Sequence, residues 1–230
     1  MIEGKIIDVI IPAYNEENSI PLVLNDIPDF VRSVVVVNNN STDNTATVAL
    51  ENGAVVLLEE RQGYGSACLK GIEYLKDKEN KPDIVVFLDA DYSDYPTEME
   101  KIIAPILRED MDMVIGSRAL GDKEDGSMLP QQIVGNKIAT ILMKLIYGVK
   151  FTDLGPFRAI KFNKLLEIDM RDKDYGWTVE MQIKAVKNKL TYCEVPVSYR
   201  KRVGASKIAG TFKGTVMAGY KIIFTLFKYA

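Results

Sequence analysis

Histidine is absent from this sequence of 230 residues, and that absence removes several chemistries at once. No Ser-His-Asp or Cys-His nucleophile system can be assembled, no HExxH zinc site exists, and acid–base work falls to carboxylates. Cysteine is scarce too: only Cys68 and Cys193 occur, far apart and in apolar company. They read as buried thiols of a reducing compartment, so the cytoplasm is expected and a disulfide framework is not. Two cysteines are also too few for a Cys-rich zinc site, so a metal here would be a hard ion held by oxygen. Positive charge is not in excess: the net charge is -3 and the pI near 5.3, which gives no overall field for nucleic acid. The N-terminus shows no basic n-region, long apolar core or small-residue cleavage site, so no secretory signal is expected. No G-x-G-x-x-G run is present, and Gly63-Tyr64-Gly65 follows the third expected strand rather than the first, which disfavours a dinucleotide-dependent dehydrogenase.

What is present is a chain 47% hydrophobic and 27% charged, enough for one globular domain with a substantial core. Its first half alternates β-rich runs at 6–11, 33–37, 55–58 and 83–88 with helical stretches opening near Asn18 and covering 42–52 and 66–75. Strands with little internal alternation, separated by helices, predict a mostly parallel, doubly wound α/β sheet covered on both faces. The second half reads as a strand at 112–116, a charged Gly-containing loop at 119–129, a helix over 132–147, a short segment at 151–160, a helix over 177–188 and a last strand at 192–199. In such sheets the ligand sits outside the carboxyl ends of the strands. Four polar loops fall there: 12–16, 38–43, 61–67 and 89–91.

Asp89-Ala90-Asp91 closes the apolar run at 84–88. Two carboxylates one residue apart at a strand end can serve neighbouring ligand groups, one a divalent ion and the other a hydroxyl or a water. A solvated turn or a helix cap is the plainer reading of the same letters.

The ordered set of motifs resembles the GT-A fold, family 2 glycosyltransferases, and within them the dolichyl-phosphate mannose and glucose synthase group. Ile10-Ile11-Pro12-Ala13-Tyr14-Asn15-Glu16-Glu17 is similar to the family's first-strand signature, Arg61-Gln62-Gly63-Tyr64-Gly65-Ser66-Ala67 to its glycine-containing loop, and Phe87-Leu88-Asp89-Ala90-Asp91 to its metal-binding strand end. Val114-Ile115-Gly116-Ser117-Arg118, Asp153-Leu154-Gly155-Pro156-Phe157-Arg158 and Gly176-Trp177-Thr178-Val179-Glu180-Met181 resemble the next strand and the acceptor-side segments, and RKRVGASK at 200–207 resembles a loop that closes over the donor diphosphate. The likeness spans roughly residues 6 to 210 and implies a glycosyltransferase domain over 1–210 followed by a helix over 211–230. It implies donor contacts from Pro12, Tyr14, Asn15, Glu16, Val37, Asn39, Gly63, Asp89, Ala90, Arg202 and Lys207, a Mg²⁺ or Mn²⁺ ion held by Asp89 and Asp91, and catalytic roles for Asp91, Arg118, Asp153 and Glu180. Arg118 is implied to meet an acceptor phosphate.

The chain departs from the group in three places. Asn38 and Asn39 stand where an Asp-Asp pair is common, Ser93 where some relatives have a metal-holding Gln, and Gln131 and Gln132 where basic residues are frequent. An amide both donates and accepts, so UDP and GDP both remain open as the nucleotide. The Gly-x-Gly-Thr-Arg start of nucleotidyltransferases is replaced by Pro-x-Tyr-Asn-Glu.

The function expected is transfer of a hexose, with inversion, from a UDP- or GDP-linked sugar to a polyprenyl or dolichyl phosphate at the cytoplasmic membrane face. The alternatives are a hydroxyl acceptor, for which Glu180 or Asp153 would be the general base, and a catalytically silent sugar-nucleotide binder. Asp153 could instead pair with Arg158, Glu180 could be a helix-surface residue, and Trp177, the only tryptophan, could stack on a sugar or pack in the core. The last stretch places Phe212, Val216, Tyr220, Ile223 and Phe227 at helical spacing, with Lys213, Lys221 and Lys228 towards the flank. This predicts an amphipathic helix, too short in apolar residues to span a bilayer, that lies on a membrane surface or docks on the body or on a second subunit as a homo-oligomer contact.

Overall fold

The structure is a computed structural model and describes residues 2–204 and 212–230. The chain alternates strands and helices: β1 (Ile7–Ala13), α1 (Ile20–Asn25), β2 (Ser33–Asn38), α2 (Thr45–Glu51), β3 (Val55–Leu58), α3 (Tyr64–Asp77) and β4 (Ile84–Phe87). A 3₁₀ turn at Pro96–Glu98 leads into α4 (Met99–Arg108), β5 (Met113–Ser117), α5 (Pro130–Tyr147), β6 (Arg158–Lys161), α6 (Phe162–Glu167), α7 (Trp177–Lys187), β7 (Tyr192–Pro196) and α8 (Phe212–Lys228).

The strands make one sheet in the order β3-β2-β1-β4-β6-β5-β7. Ile10 pairs with Val35 on one side and Phe87 on the other. Because side chains alternate across a strand, Ile10, Val35, Val85, Phe87 and Ile115 face one core, packed by Ala67, Cys68 and Leu75 of α3, Met143 of α5 and Val179 and Ile183 of α7. Their neighbours Val9, Ile11, Val36 and Val86 face the other core, against Ile20 and Val23 of α1, Ala49 of α2 and Met99, Ile102, Ile103 and Ile106 of α4. Both faces of β1, β4 and β5 are covered, which is why these strands read as unbroken apolar runs.

The sheet is mostly parallel, as expected, but β6 runs antiparallel to both β4 and β5. This reversal was not anticipated, and it matters: the loop entering β6 lies at the same rim as the loops leaving β1, β4 and β5. Because β7 is parallel to β5, the chain after Pro196 also emerges on that rim. Two helices passed over in the sequence, α4 and α6, complete the layers. The stripe of Met99, Ile102, Ile103 and Ile106 holds α4 on the sheet although Pro105 stands inside it.

α8 packs on α5 and α7. Tyr147 Oη donates to the carbonyl of Leu226 at 2.5 Å, and Lys221 Nζ pairs with Asp172 Oδ2 at 3.2 Å. Among the described residues no helix is long and apolar enough to cross a membrane.

Candidate active site

The converging loops enclose a cavity of about 590 Å³. Pro12, Tyr14 and Glu16 enter it from the end of β1, Asn39 from β2, Gly63 from the loop before α3, and Asp89, Ala90 and Asp91 from the end of β4. Arg118 follows β5, and Arg202 comes from the segment beyond β7. The structure thus brings ten of the expected site residues together. Asn15 and Val37 do not line the cavity. Val37 is buried in the core under the sheet, while Asn15, at φ 54°, builds the turn by accepting from the Thr42 amide at 2.8 Å. Lys207 lies outside the described residues.

The acidic pair is held from both sides. Asp91 Oδ1 accepts from the Ser93 amide at 3.0 Å and the Ser93 hydroxyl at 2.5 Å, and Oδ2 pairs with Arg202 Nη1 at 2.7 Å. Asp89 Oδ1 is buried with no hydrogen-bond partner. Burial first, and then the neighbouring charge of Asp91, hold the Asp89 carboxyl well above the usual carboxylate range, against Arg202 and Arg118. An unpaired oxygen beside a second carboxylate is what a hard cation would relieve, so these residues fit Mg²⁺ or Mn²⁺. Among the described residues no group of three or more His, Cys, Asp or Glu is disposed to hold a metal. The remaining ligand positions would therefore come from phosphate oxygens and water.

Arg202 is set in place by its neighbour. Arg200 lies over the Tyr92 ring, with its guanidinium carbon 3.2 Å from the ring centroid, donates to the Tyr92 carbonyl at 2.6 Å and to the Asp94 carbonyl at 3.2 Å. The Val203 amide donates to the Asp91 carbonyl at 2.9 Å. The segment after β7 is thereby fastened across the acidic turn, and Arg202 reaches the cavity.

Arg118 and Asp153 form one unit. The Arg118 amide and Nε donate to Asp153 Oδ2 at 2.8 Å each, and Nη2 to Oδ1 at 2.7 Å. Burial would raise the Asp153 carboxyl, but the charge and bonds of Arg118 hold it below the ordinary range. Glu194 in turn anchors the loop, accepting from the Thr152 and Asp153 amides at 2.9 and 3.1 Å. The alternative pairing of Asp153 with Arg158 is not what forms: Arg158 is buried and donates to the carbonyls of Leu154, Gly155 and Thr178.

Two expected catalytic roles require correction. Asp153 is fully buried and both its oxygens serve Arg118, so it orients Arg118 and is not placed as a base. Glu180 is fully buried as well, neither on the helix surface nor in the cavity. Its carboxylate accepts from the Arg171 and Asp172 amides, from Tyr229 Oη at 2.6 Å and from Lys184 at 2.8 Å. It fastens the 169–173 turn and α8 to α7. Asn39 lines the cavity as expected, and its amide ties the next loop in place, donating to the carbonyls of Glu59 and Arg61 and accepting from the Gly63 amide at 2.7 Å. Trp177, open on sequence grounds to sugar stacking or core packing, is 1% exposed and meets Phe87 edge to face with centroids 5.9 Å apart, so it packs in the core where the core borders the cavity.

The sequence reading also missed residues. Asp94 is 2% exposed with neither carboxylate oxygen hydrogen-bonded, and burial with the charge of Asp89 holds it well above the usual range. It is a third acid behind the pair, three positions after Asp91, and its burial left no pattern to find. Tyr199, 2% exposed, lines the cavity with Arg118 5.1 Å from its ring centroid.

Glycines set the loop before α3. At Gly63, with φ 148°, a Cβ would stand 2.2 Å from the carbonyl oxygen of Lys173, and at Gly65 a Cβ would stand 2.1 Å from that of Asp172. The Ser66 amide donates to the Lys173 carbonyl at 3.0 Å. The start of α3 and the 169–173 turn are therefore in direct backbone contact, which only a residue without Cβ permits.

The model of the family described as glycosyl transferase family 2 matches residues 8–168, from β1 past the acidic pair to the end of α6. The chain belongs to glycosyl transferase family 2. Among its relatives, an uncharacterised glycosyltransferase of Mycobacterium tuberculosis is 34% identical over 217 residues, 94% of this chain and 95% of the relative. The UDP-N-acetylglucosamine–dolichyl-phosphate N-acetylglucosaminyltransferase of Methanococcus voltae is 32% identical, covering 96% of this chain and 95% of its own length. The undecaprenyl-phosphate mannosyltransferase of Micrococcus luteus is 29% identical over 89% of this chain and 88% of the relative. In three dimensions the chain is similar to the glucosyl-3-phosphoglycerate synthase of M. tuberculosis, solved with Mn²⁺, UDP and its glucosylated product. The TM-score is 0.78 at 22% identity, over 98% of this chain and 80% of that one. The fold is thus the GT-A fold of family 2 glycosyltransferases.

Proposed function

We propose that this family 2 glycosyltransferase moves a hexose, with inversion, from a UDP- or GDP-linked sugar to a polyprenyl phosphate at the inner face of the cytoplasmic membrane. The observation that carries the reading is the set of charges that line one cavity: the acidic pair Asp89 and Asp91, Arg202 paired with Asp91, and Arg118 held by Asp153. Mg²⁺ or Mn²⁺ held by Asp89 and Asp91 would supply neutralising charge for the leaving nucleotide diphosphate. Arg202 adds a cation that costs no reorganisation when the sugar–phosphate bond breaks. Pro12, Tyr14, Glu16 and Gly63 form the wall for the nucleotide, and Asn39 fixes the loop that carries Gly63.

The way the carboxylates of the site are engaged supports a phosphate acceptor. A hydroxyl acceptor needs a base, yet Asp153 and Glu180 are both buried in hydrogen bonds. The carboxylates lining the cavity are Glu16, Asp89 and Asp91, and Glu16 accepts from the Ser19 hydroxyl at 2.6 Å. A phosphate acceptor arrives already ionised and requires a cation instead, which Arg118 provides. The names of the M. voltae and M. luteus relatives, which print dolichyl and undecaprenyl phosphate as acceptors, support the same choice.

The test is a two-step assay. A thermal-shift panel of UDP- and GDP-sugars with Mn²⁺ identifies the donor, since a ligand of the folded state raises the melting temperature. That donor is then offered with short-chain polyprenyl phosphate or with the corresponding polyprenol. Transfer to the phosphate and not to the alcohol is expected; transfer to the alcohol alone would overturn the acceptor assignment, and donor binding without release of nucleotide diphosphate in any arm would overturn the reaction.

A further inference from the structure

A second cavity, of about 470 Å³, lies between α3, α6 and the turn at 169–173, and the chemistry proposed above makes no use of it. Its volume falls in the range of small-molecule sites. Ile72 of α3, Leu165 of α6 and Met170 of the turn are buried and give it an apolar floor. The acids of its lining are already engaged: Glu73 pairs with Lys70 at 3.1 Å, Asp169 pairs with Arg171, and Glu59 Oε1 accepts from the Arg61 amide at 2.9 Å. Three cations of the lining are not. Arg61, Lys76 and Lys173 are exposed at the cavity and have no ion pair among the described residues.

The two cavities share a wall. Arg61 lines the second while Gln62 and Gly63 line the first, and Lys173 lines the second while Tyr175 lines the first. These two segments are clasped together: the Ser66 amide and hydroxyl both donate to the Lys173 carbonyl, at 3.0 and 3.2 Å, and a Cβ at Gly63 would collide with that same carbonyl. A bare inorganic anion would meet the cations and leave the apolar floor uncovered, whereas a wholly apolar molecule would leave the cations unmatched. Guanidinium and ammonium groups make charge-assisted hydrogen bonds to phosphate oxygens. We infer that the second cavity is a regulatory site for a small organic anion, a phosphate monoester on an apolar body, with the phosphate among Arg61, Lys76 and Lys173 and the body on the floor. An anion shared by Arg61 and Lys173 joins the two segments of the wall, holds the loop before α3 in place and so favours the sugar nucleotide in the first cavity. That coupling rests on the proposed donor; the anion site does not.

The test uses the full chain and naphthyl phosphate, with naphthol as its neutral counterpart, in isothermal titration calorimetry. The phosphate is expected to bind at least about tenfold tighter than naphthol. Arg61→Glu and Lys173→Glu should each weaken it by about tenfold or more with the melting temperature unchanged. Lys81→Glu makes the same charge change at an exposed position outside both cavities and should bind as wild type. No binding of the phosphate, equal binding of naphthol, cavity variants that bind as wild type, an equal loss in Lys81→Glu, or displacement of naphthyl phosphate by UDP or GDP with Mn²⁺ would each overturn the site. The coupling is read by titrating the sugar nucleotide with Mn²⁺, with and without saturating naphthyl phosphate. Affinity should rise by about fivefold or more in wild type and stay flat in Lys173→Glu; an unchanged or weakened affinity in wild type would overturn the regulation. Failure of every UDP- and GDP-sugar to bind, with naphthyl phosphate still bound, sinks the donor assignment and upholds the anion site.

Discussion

Replacing Glu180 by glutamine separates a scaffold from a general base. The side chain is fully buried, and its carboxylate pairs with Lys184 at 2.8 Å, accepts from Tyr229 Oη at 2.6 Å, and accepts from the Asp172 amide at 2.6 Å. Glutamine keeps the volume and one acceptor oxygen but leaves Lys184 facing a neutral amide. Removing one partner of a buried ion pair costs about 3–5 kcal/mol, and the retained acceptor should trim this to roughly 2–4 kcal/mol. At about 2–4 °C per kcal/mol for a chain of this size, the melting temperature should fall by about 5–15 °C. pH provides a second signature. Burial alone would raise the Glu180 carboxyl, but the bonds from Lys184, Tyr229 and the Asp172 amide hold it below the ordinary value. A carboxyl depressed in the folded state stabilises fully above its unfolded pKa and loses that contribution as pH falls through the folded one. The gap between wild type and Glu180→Gln should therefore be full at neutral pH and close only in acid. Activity at a temperature well below both transitions should stay within about tenfold of wild type, whereas loss of a general base removes about 10²–10⁴-fold. A fall in kcat of that size with an unchanged melting temperature would refute the scaffold assignment.

Four further outcomes can be checked alongside. Asp91→Asn should lower kcat/KM by about 10²-fold or more, measured by release of nucleotide diphosphate, with the fold retained by circular dichroism. Treatment with a chelator should abolish transfer, and added Mn²⁺ or Mg²⁺ should restore it; full activity in chelator would remove the metal from the reaction. Asp153→Asn should unfold at lower temperature by an amount matching about 3–5 kcal/mol, because it leaves Arg118 buried without its partner, and should raise KM for the acceptor more than for the donor. Gly65→Ala, whose Cβ would meet the Asp172 carbonyl oxygen at 2.1 Å, should destabilise by about 1–3 kcal/mol and weaken donor binding, read by calorimetry and by titration with the nucleotide.

Where sequence and structure agree, the reason is local. The apolar runs that became β1, β2 and β4 end directly in Pro12, Asn38 and Asp89, so strand, rim and polar loop could be read from one stretch of chain. Asp89, Asp91, Arg118 and Arg202 came together because parallel strands deliver their carboxyl ends to one edge. What was not legible depends on contacts between distant segments. The reversal of β6 follows from how the loop at 148–157 turns back, and no periodicity records direction. Arg118 and Asp153 are 35 positions apart, so the sequence showed two charged residues with separate roles where the fold makes one unit. Asn39 offered donors and acceptors on paper, but the carbonyls of Glu59 and Arg61 had already claimed its donors. Glu180 lies on a helix near a motif, and only the positions of Arg171, Asp172 and Tyr229 reveal that its oxygens point away from the cavity.

The turn at 169–173 is held on two sides. From one side Glu180 and Lys221 tie it to α7 and α8; from the other, its carbonyls press on Gly63 and Gly65 and receive the Ser66 amide. The C-terminal helix and the loop before α3 are thus joined through one short turn.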